Sequence, residues 1–166
     1  MYIYRTGAAF ISSRLGINQI PPLTAQALGL DLPPSPFGGL IIAGSYVPKT
    51  TEQLASLIES RGESLKTITL NVDDLISSPE LVERTLSDAA DLAGDCIFKG
   101  QDVLVMTSRV LITGDDELSS VKIGGAVAAA LVHFLRILIP RPRYIIAKVS
   151  CLALMRTTQT CPDIYR

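Results

Sequence analysis

Cysteine is scarce and spread out: Cys96, Cys151 and Cys161 are the three in the chain, odd in number, far apart and without a C-x-x-C pair. That argues against a disulfide framework and a zinc site, and makes a reducing compartment the default expectation. Histidine is scarcer still. His133 stands alone inside the apolar string AAALVHFL, with no visible Ser or Cys partner, and such a residue is more often a hydrogen-bonded core or surface group than a catalytic base. Two phosphate-binding fingerprints are also missing, G-x-x-x-x-G-K-[ST] and G-x-G-x-x-G, and the lack of the second disfavours a dinucleotide-dependent oxidoreductase. Net charge is almost absent, since 15 Lys+Arg against 16 Asp+Glu leave −1, which argues against a dedicated nucleic-acid binder. No clean membrane span is expected either. The most apolar stretch, 121–139, carries Lys122, His133 and Arg136 and is cut short by Pro140, so it reads as a buried helix.

What the chain does contain suits one compact, core-rich domain. It has 166 residues, 48% of them hydrophobic and 19% charged, with 12 Gly, 10 Pro and a mean hydropathy of +0.35. This composition is neither disordered nor fibrous, and the length is too small for an ordinary two-domain enzyme. Charge is unevenly placed although its sum is small. Residues 1–51 carry three basic and one acidic side chain, residues 52–117 five and fourteen, and residues 118–166 seven and one. The basic C-terminal portion would favour an anion such as a nucleotide phosphate, with a solvated surface as the plainer explanation. Residues 1–30 hold Arg5 and Arg14 and no acid, a faint likeness to an organelle transit segment, but Gly16, Pro21 and Pro22 break any long amphipathic helix there. The expected location is the cytoplasm, with organelle transit as the minority alternative.

Along the chain, YRTGAAFISSRLG at 4–16 predicts a short helix leading into a Pro-rich connection at 21–36. The globular alternation begins at Gly38. GLIIA at 39–43 is a continuous apolar run typical of a doubly buried strand, and 50–60 follows with apolar positions 54, 57 and 58 on one helical stripe. LKTITLNV at 65–72 predicts a second strand. The helix at 78–92 then has Ser78 as N-cap, Pro79 at its first position, and Leu81, Val82, Leu86 and Leu92 as its apolar positions. DVLVM at 102–106, a long helix at 122–138 and RYIIA at 143–147 complete the series. Alternating strand and helix predict a three-layer, Rossmann-like α/β domain with a mainly parallel sheet, its 121–138 helix heavily buried. The expected division is a helix and linker at 1–37, a globular α/β body at 38–148 and a C-terminal tail at 149–166.

Ligands of open α/β sheets gather at the carboxyl ends of the strands, which directs attention to the loops at 43–50, 73–78, 107–120 and 148 onward. The first is the best candidate. In AGSYVPKTTEQ, Gly44 and Ser45 directly follow a buried strand, where bare backbone permits close approach and the hydroxyl can bind a phosphate or ribose oxygen. Pro48 and Lys49 lead into Thr50, which with Gln53 suggests a capping box that would aim the positive end of the helix dipole at this loop. The plainer alternative is that Thr50 caps the helix and Ser45 ends the strand, with no ligand involved. After the third strand, Thr107, Ser108 and Arg109 offer hydroxyls and a guanidinium suited to phosphate, or else a turn with one surface Arg. Asp73 with Asp74, and Asp115 with Asp116 and Glu117, are more simply acids of helix starts and exposed turns than ligands, so no metal is assigned to them.

The string GGLIIAGSYVPKTTEQLASLIES resembles the start of the nucleotide-binding domain of the four-carbon acid sugar kinase family. The likeness continues in order through VDDLI at 72–76, DVLVMTSR at 102–109, the long helix near 121–138 and RPRYIIAK at 141–148. YRTGAAFISSRLGI resembles the segment that joins the family's substrate domain to this one, so the likeness covers about residues 4–148. It implies ATP, with Mg²⁺, as the nucleotide, and phosphorylation of the terminal hydroxyl of tetronate-type acids such as erythronate, threonate or their oxo derivatives. Gly44 and Ser45 match the family's nucleotide-contacting loop, and Lys49, Thr50 and Ser108 are weaker candidates. Two departures stand out. The substrate domain of the family is not in these residues, and after Ala147 and Lys148 the family's Gly-Gly-Ile-Thr-Ser type loop is replaced by Val149, Ser150 and Cys151. The expected function is therefore an ATP-binding domain, inactive by itself and needing a substrate domain to meet its acid sugar. The alternative is a non-catalytic structural or interaction fragment of a multidomain protein, since family members also occur beside hydroxyacid dehydrogenase-like and class II aldolase-like regions.

Overall fold

The structure, a computed structural model, describes residues 8–18, 20–24, 26–28, 35–110 and 112–148. The start of the expected first helix (4–7), residues 29–34 of the Pro-rich connection and the whole 149–166 tail, with Val149, Ser150 and Cys151, lie outside these. The chain falls into two units, Met1–Pro34 and Ser35–Arg166. The first contains the helix α1 (Ala8–Leu15), which ends where Gly16 takes φ 64 and the Ile17 amide donates to the Ser12 carbonyl at 2.9 Å. Further on, Thr24 closes a turn, its hydroxyl accepting from the Ala27 amide at 3.1 Å.

The second unit is the α/β domain. Its strands β1 (Leu40–Ala43), β2 (Leu65–Leu70), β3 (Asp102–Thr107) and β4 (Ile145–Lys148) form one sheet in the order β2-β3-β1-β4, and every pairing is parallel. Side chains alternate across it, as the two-residue period of a strand requires. Leu40, Ile42, Ile68, Leu70, Val103 and Val105 face one core, shared with α3 (Val72–Leu75), α4 (Pro79–Phe98) and α5 (Glu117–Ile137). Ala43, Leu65 and Leu104 face the other, closed by Leu54 of α2 (Pro48–Arg61). Helices on both faces of a parallel sheet make the three layers the alternating sequence predicts.

Local rules explain most of the element ends. Ser78 caps α4, its hydroxyl accepting from the Leu81 amide at 3.4 Å with Pro79 at the first position. Asp116 caps α5 in a reciprocal box with Ser119, so this helix begins at Glu117, five residues before the expected start. α4 also runs past its expected end at Leu92, stopping at Phe98.

Two burial expectations need correction. In α4, Val82 and Leu86 face inward, but Leu81 and Leu92 are exposed, and the buried stripe is completed by Ala89, Ala90, Ala93, Gly94 and Ile97. Small residues let this helix lie close to its neighbours: a Cβ at Gly94 would overlap the carbonyl oxygen of Ile139. In α5 only the second half is buried, through Ala128, Ala130, Leu131 and Phe134, while Leu118 and Val121 are 64% and 71% exposed. This helix is also the one described helix long and apolar enough to cross a membrane by length and composition. At the sheet edge, all four residues of β4 are exposed.

Candidate functional site

In a parallel sheet all strands end on one side, so the loops that follow them meet there. β1 and β3 are hydrogen-bonded neighbours with Ala43 opposite Met106, which sets the loop after Ala43 beside the one after Thr107. β4 flanks β1 on the other side with Lys148 opposite Ala43, so an exposed cation stands at the same edge. The Gly44–Val47 loop therefore lies between the ends of β3 and β4.

Ser45 is buried, and so is Thr50 in the first turn of α2; the Thr50 hydroxyl stands 3.5 Å from the Ser45 Oγ, in donating geometry. The expected capping box at Thr50 is not formed. α2 starts at Pro48, with Val47 at the N-cap and no side-chain cap, and Thr50 is already helical, its amide turned to the Val47 carbonyl at 2.8 Å. Pro48 accounts for the shift: its fixed φ and missing N–H suit the first helical position, so the helix begins two residues before Thr50. The outcome is a buried pair of hydroxyls under the loop, with the helix N-terminus beside it.

Arg109, two residues past β3, holds this arrangement. Its Nη2 donates to the Ser45 carbonyl at 2.5 Å and to the Thr51 Oγ1 at 2.8 Å, and its Nε donates to the same hydroxyl at 3.2 Å. Its Nη1 is buried and has no hydrogen-bond partner among the described residues. Burial pulls the guanidinium pKa below its ordinary value, although an arginine remains charged at any physiological pH.

The remaining sequence-predicted residues are placed differently. Lys49 is on the exposed side of the first turn, in an i,i+3 ion pair with Glu52 at 3.3 Å. The Ser108 hydroxyl accepts from the Val72 amide at 3.1 Å, and its own amide donates to the Leu70 carbonyl at 2.8 Å. Ser108 thus faces the β2 side and holds α3 to the end of the sheet. The structure brings Gly44, Ser45 and Thr50 together with Arg109 and Thr51, leaves Lys49 at the rim, and commits Ser108 to the neighbouring loop. Thr51 carried no sequence signal of its own. Arg109 was visible as a guanidinium after a strand, but its reach across 64 residues to Ser45 depends on the strand order.

A buried hydroxyl, a helix N-terminus and a guanidinium with an unpartnered buried N–H suit an anionic oxygen-rich group such as a phosphate. Among the described residues, no group of three His, Cys, Asp or Glu side chains is placed to hold a metal ion. A protein-family model described as nucleotide-binding C-terminal domain matches residues 40–147, from the first residue of β1 to the third of β4. No curated protein and no solved structure matches the chain.

Proposed function

Because the chain belongs to the family of nucleotide-binding C-terminal domains found in four-carbon acid sugar kinases, we propose that its nucleotide is ATP, held by its phosphates against the Gly44–Ser45 loop. The observation that carries this reading is the buried Ser45 at the carboxyl end of the sheet, with Arg109 locked onto its carbonyl. Gly44 lets the phosphate chain approach the main chain. The Ser45 hydroxyl can take a proton contact from Thr50 and give its own hydrogen to a phosphate oxygen. Lys49 turns from Glu52 to the phosphates at little cost, since an exposed ion pair is worth about 0–1 kcal/mol. Ser108 contributes by fixing the adjoining loop through Val72. Mg²⁺ arriving with the nucleotide neutralises phosphate charge, the main requirement of phosphoryl transfer.

The acceptor is a four-carbon acid sugar presented by a substrate domain, and 38–148 is the nucleotide-binding body. Phosphoryl transfer tolerates little misalignment, about 1 Å costing on the order of a hundredfold. At 149–151 the Val-Ser-Cys sequence puts a stiff β-branched side chain where the family has glycine. The chain assayed by itself is therefore inactive or very slow. Calorimetry with ATP and Mg²⁺ on the wild type and Ser45→Ala tests the binding: Ser45→Ala weakens it about tenfold or more, and equal binding by the two removes Ser45 from the site. An assay with erythronate, threonate and oxo-tetronates tests the inactivity, which turnover near the median enzyme value of roughly 10 per second would refute.

A second reading, a non-catalytic interaction module of a multidomain protein, is favoured by the exposure of β4 and of Leu118 and Val121 on α5. Phosphate transfer from ATP to an acid sugar, once a substrate domain of the family is supplied, would exclude it.

A further inference from the structure

We propose that Arg109 is the residue that recognises the charge of the bound nucleotide, with Nη1 donating to a phosphate oxygen and Nη2 and Nε holding the guanidinium in place. The inference rests on the nucleotide reading of the Gly44–Ser45 loop and goes further, assigning the anion contact to a residue in the loop after a different strand.

A guanidinium is planar and offers its donors as a rigid fork. Here the side-on pair, Nε and Nη2, is spent on the Thr51 hydroxyl, and Nη2 also reaches the Ser45 carbonyl. These bonds fix the plane and so the direction of the remaining N–H groups. Nη1 is then left buried with nothing to donate to among the described residues. Buried donors of folded proteins almost always find a partner, and one attached to a charge has the most to gain from an anion. Such an anion would lie within reach of the group that grips the Ser45 carbonyl, beside the buried Ser45 and Thr50 hydroxyls.

The anchoring also sets the division of labour. Thr51 and the Ser45 carbonyl are neutral, so they orient the guanidinium without cancelling its charge. No carboxylate is bonded to it among the described residues.

Titration of adenosine, AMP and ATP into the wild type, Arg109→Gln and Arg109→Lys, by calorimetry, tests this. In the wild type, affinity rises from adenosine to ATP. Arg109→Gln is expected to lose about tenfold to a hundredfold in ATP affinity while its adenosine affinity is unchanged, and Arg109→Lys, which keeps the charge without the fork, recovers part of the loss. ATP binding by Arg109→Gln equal to wild type would overturn the inference and leave Nη1 to a water molecule. Equal loss of adenosine and ATP would overturn it too, marking Arg109 as a support of the fold alone. Both results leave the nucleotide reading intact, whereas a wild type that binds none of the three ligands overturns both. Should the variants fail to fold, the ¹⁵N guanidinium signal of Arg109 in the wild-type chain serves instead. It is expected to shift with ATP and to stay fixed with adenosine; no shift with saturating ATP would overturn the inference.

Discussion

Arg61, the last residue of α2, donates from Nη2 to Asp102 Oδ2 at 2.6 Å, and the other oxygen of that carboxylate accepts the Gly39 amide at 2.8 Å. One side chain at the start of β3 thus ties down the end of α2 and the entry to β1. Replacing Asp102 with Ala strands the Gly39 N–H, a loss of about 1–3 kcal/mol. The ion pair adds less because Arg61 is 47% exposed. Urea denaturation is expected to show a lower midpoint at unchanged slope. An unaltered midpoint would mean that the carboxylate is dispensable.

Gly39 is glycine for want of room. A Cβ there would overlap the ring of Tyr144, which leads into β4. Gly39→Ala is expected to cost about 1–3 kcal/mol through overpacking. Combined with Tyr144→Ala, part of that cost should disappear, with a coupling of about 1 kcal/mol measured by a double-mutant cycle. Strict additivity would show that the two residues do not compete for space.

Two groups set expectations for pH. Tyr144 has its pKa raised, first by burial, then by the negative charge of Asp102 and a hydrogen bond to it. The folded state holds that proton more tightly than the unfolded chain. Its contribution is full below the ordinary tyrosine value of about 10 and is lost as pH rises through the native value. Asp116 has its pKa lowered, chiefly by the side chain and then the amide of Ser119. That contribution is full above about 4 and is lost as pH falls through the native value. Melting temperatures across pH check both. Asp116→Ala should differ from wild type at pH 7 and converge with it in acid, while Tyr144→Phe should change its offset only above about pH 10.

The uneven burial of α5 separates two kinds of substitution. Phe134→Ala is expected to cost about 3–5 kcal/mol and Leu131→Ala about 2–5, since both are fully buried. Leu118→Lys and Val121→Lys, on the exposed half, should stay within about 0.5 kcal/mol of wild type. Chemical denaturation of the four variants distinguishes them, and comparable losses in all four would mean that the first half of the helix is covered in solution.

That helix also marks where the sequence stops being informative. The apolar runs at β1 and β3 announced themselves, because strands buried on both faces leave little choice of residue, and the run at β2 did so by its β-branched alternation. Ser78 and Pro79 announced the start of α4 for equally local reasons. Burial along α5 did not follow from its hydropathy, since what covers a helix is decided by elements far away in the chain. The same holds for the buried face of α4, where alanines do the packing while Leu81 and Leu92 point outward. In the candidate site, Gly44 and Ser45 were legible from their place after a strand. Thr50 was legible as a helix-start residue but in the wrong position, because Pro48 begins the helix first. The link from Arg109 to Ser45 needs the β3–β1 pairing, which no local pattern encodes.

Nucleotide binding at the carboxyl end of the sheet is tested most directly by mapping amide chemical shifts in the ¹⁵N-labelled chain as ATP and Mg²⁺ are added. The largest changes should fall on Gly44, Ser45, Lys49, Thr50, Thr51 and Arg109, with Gly39, Asp102 and Tyr144 at the opposite ends of the strands unmoved. Changes confined to that opposite edge, or none at saturating ATP, would contradict it.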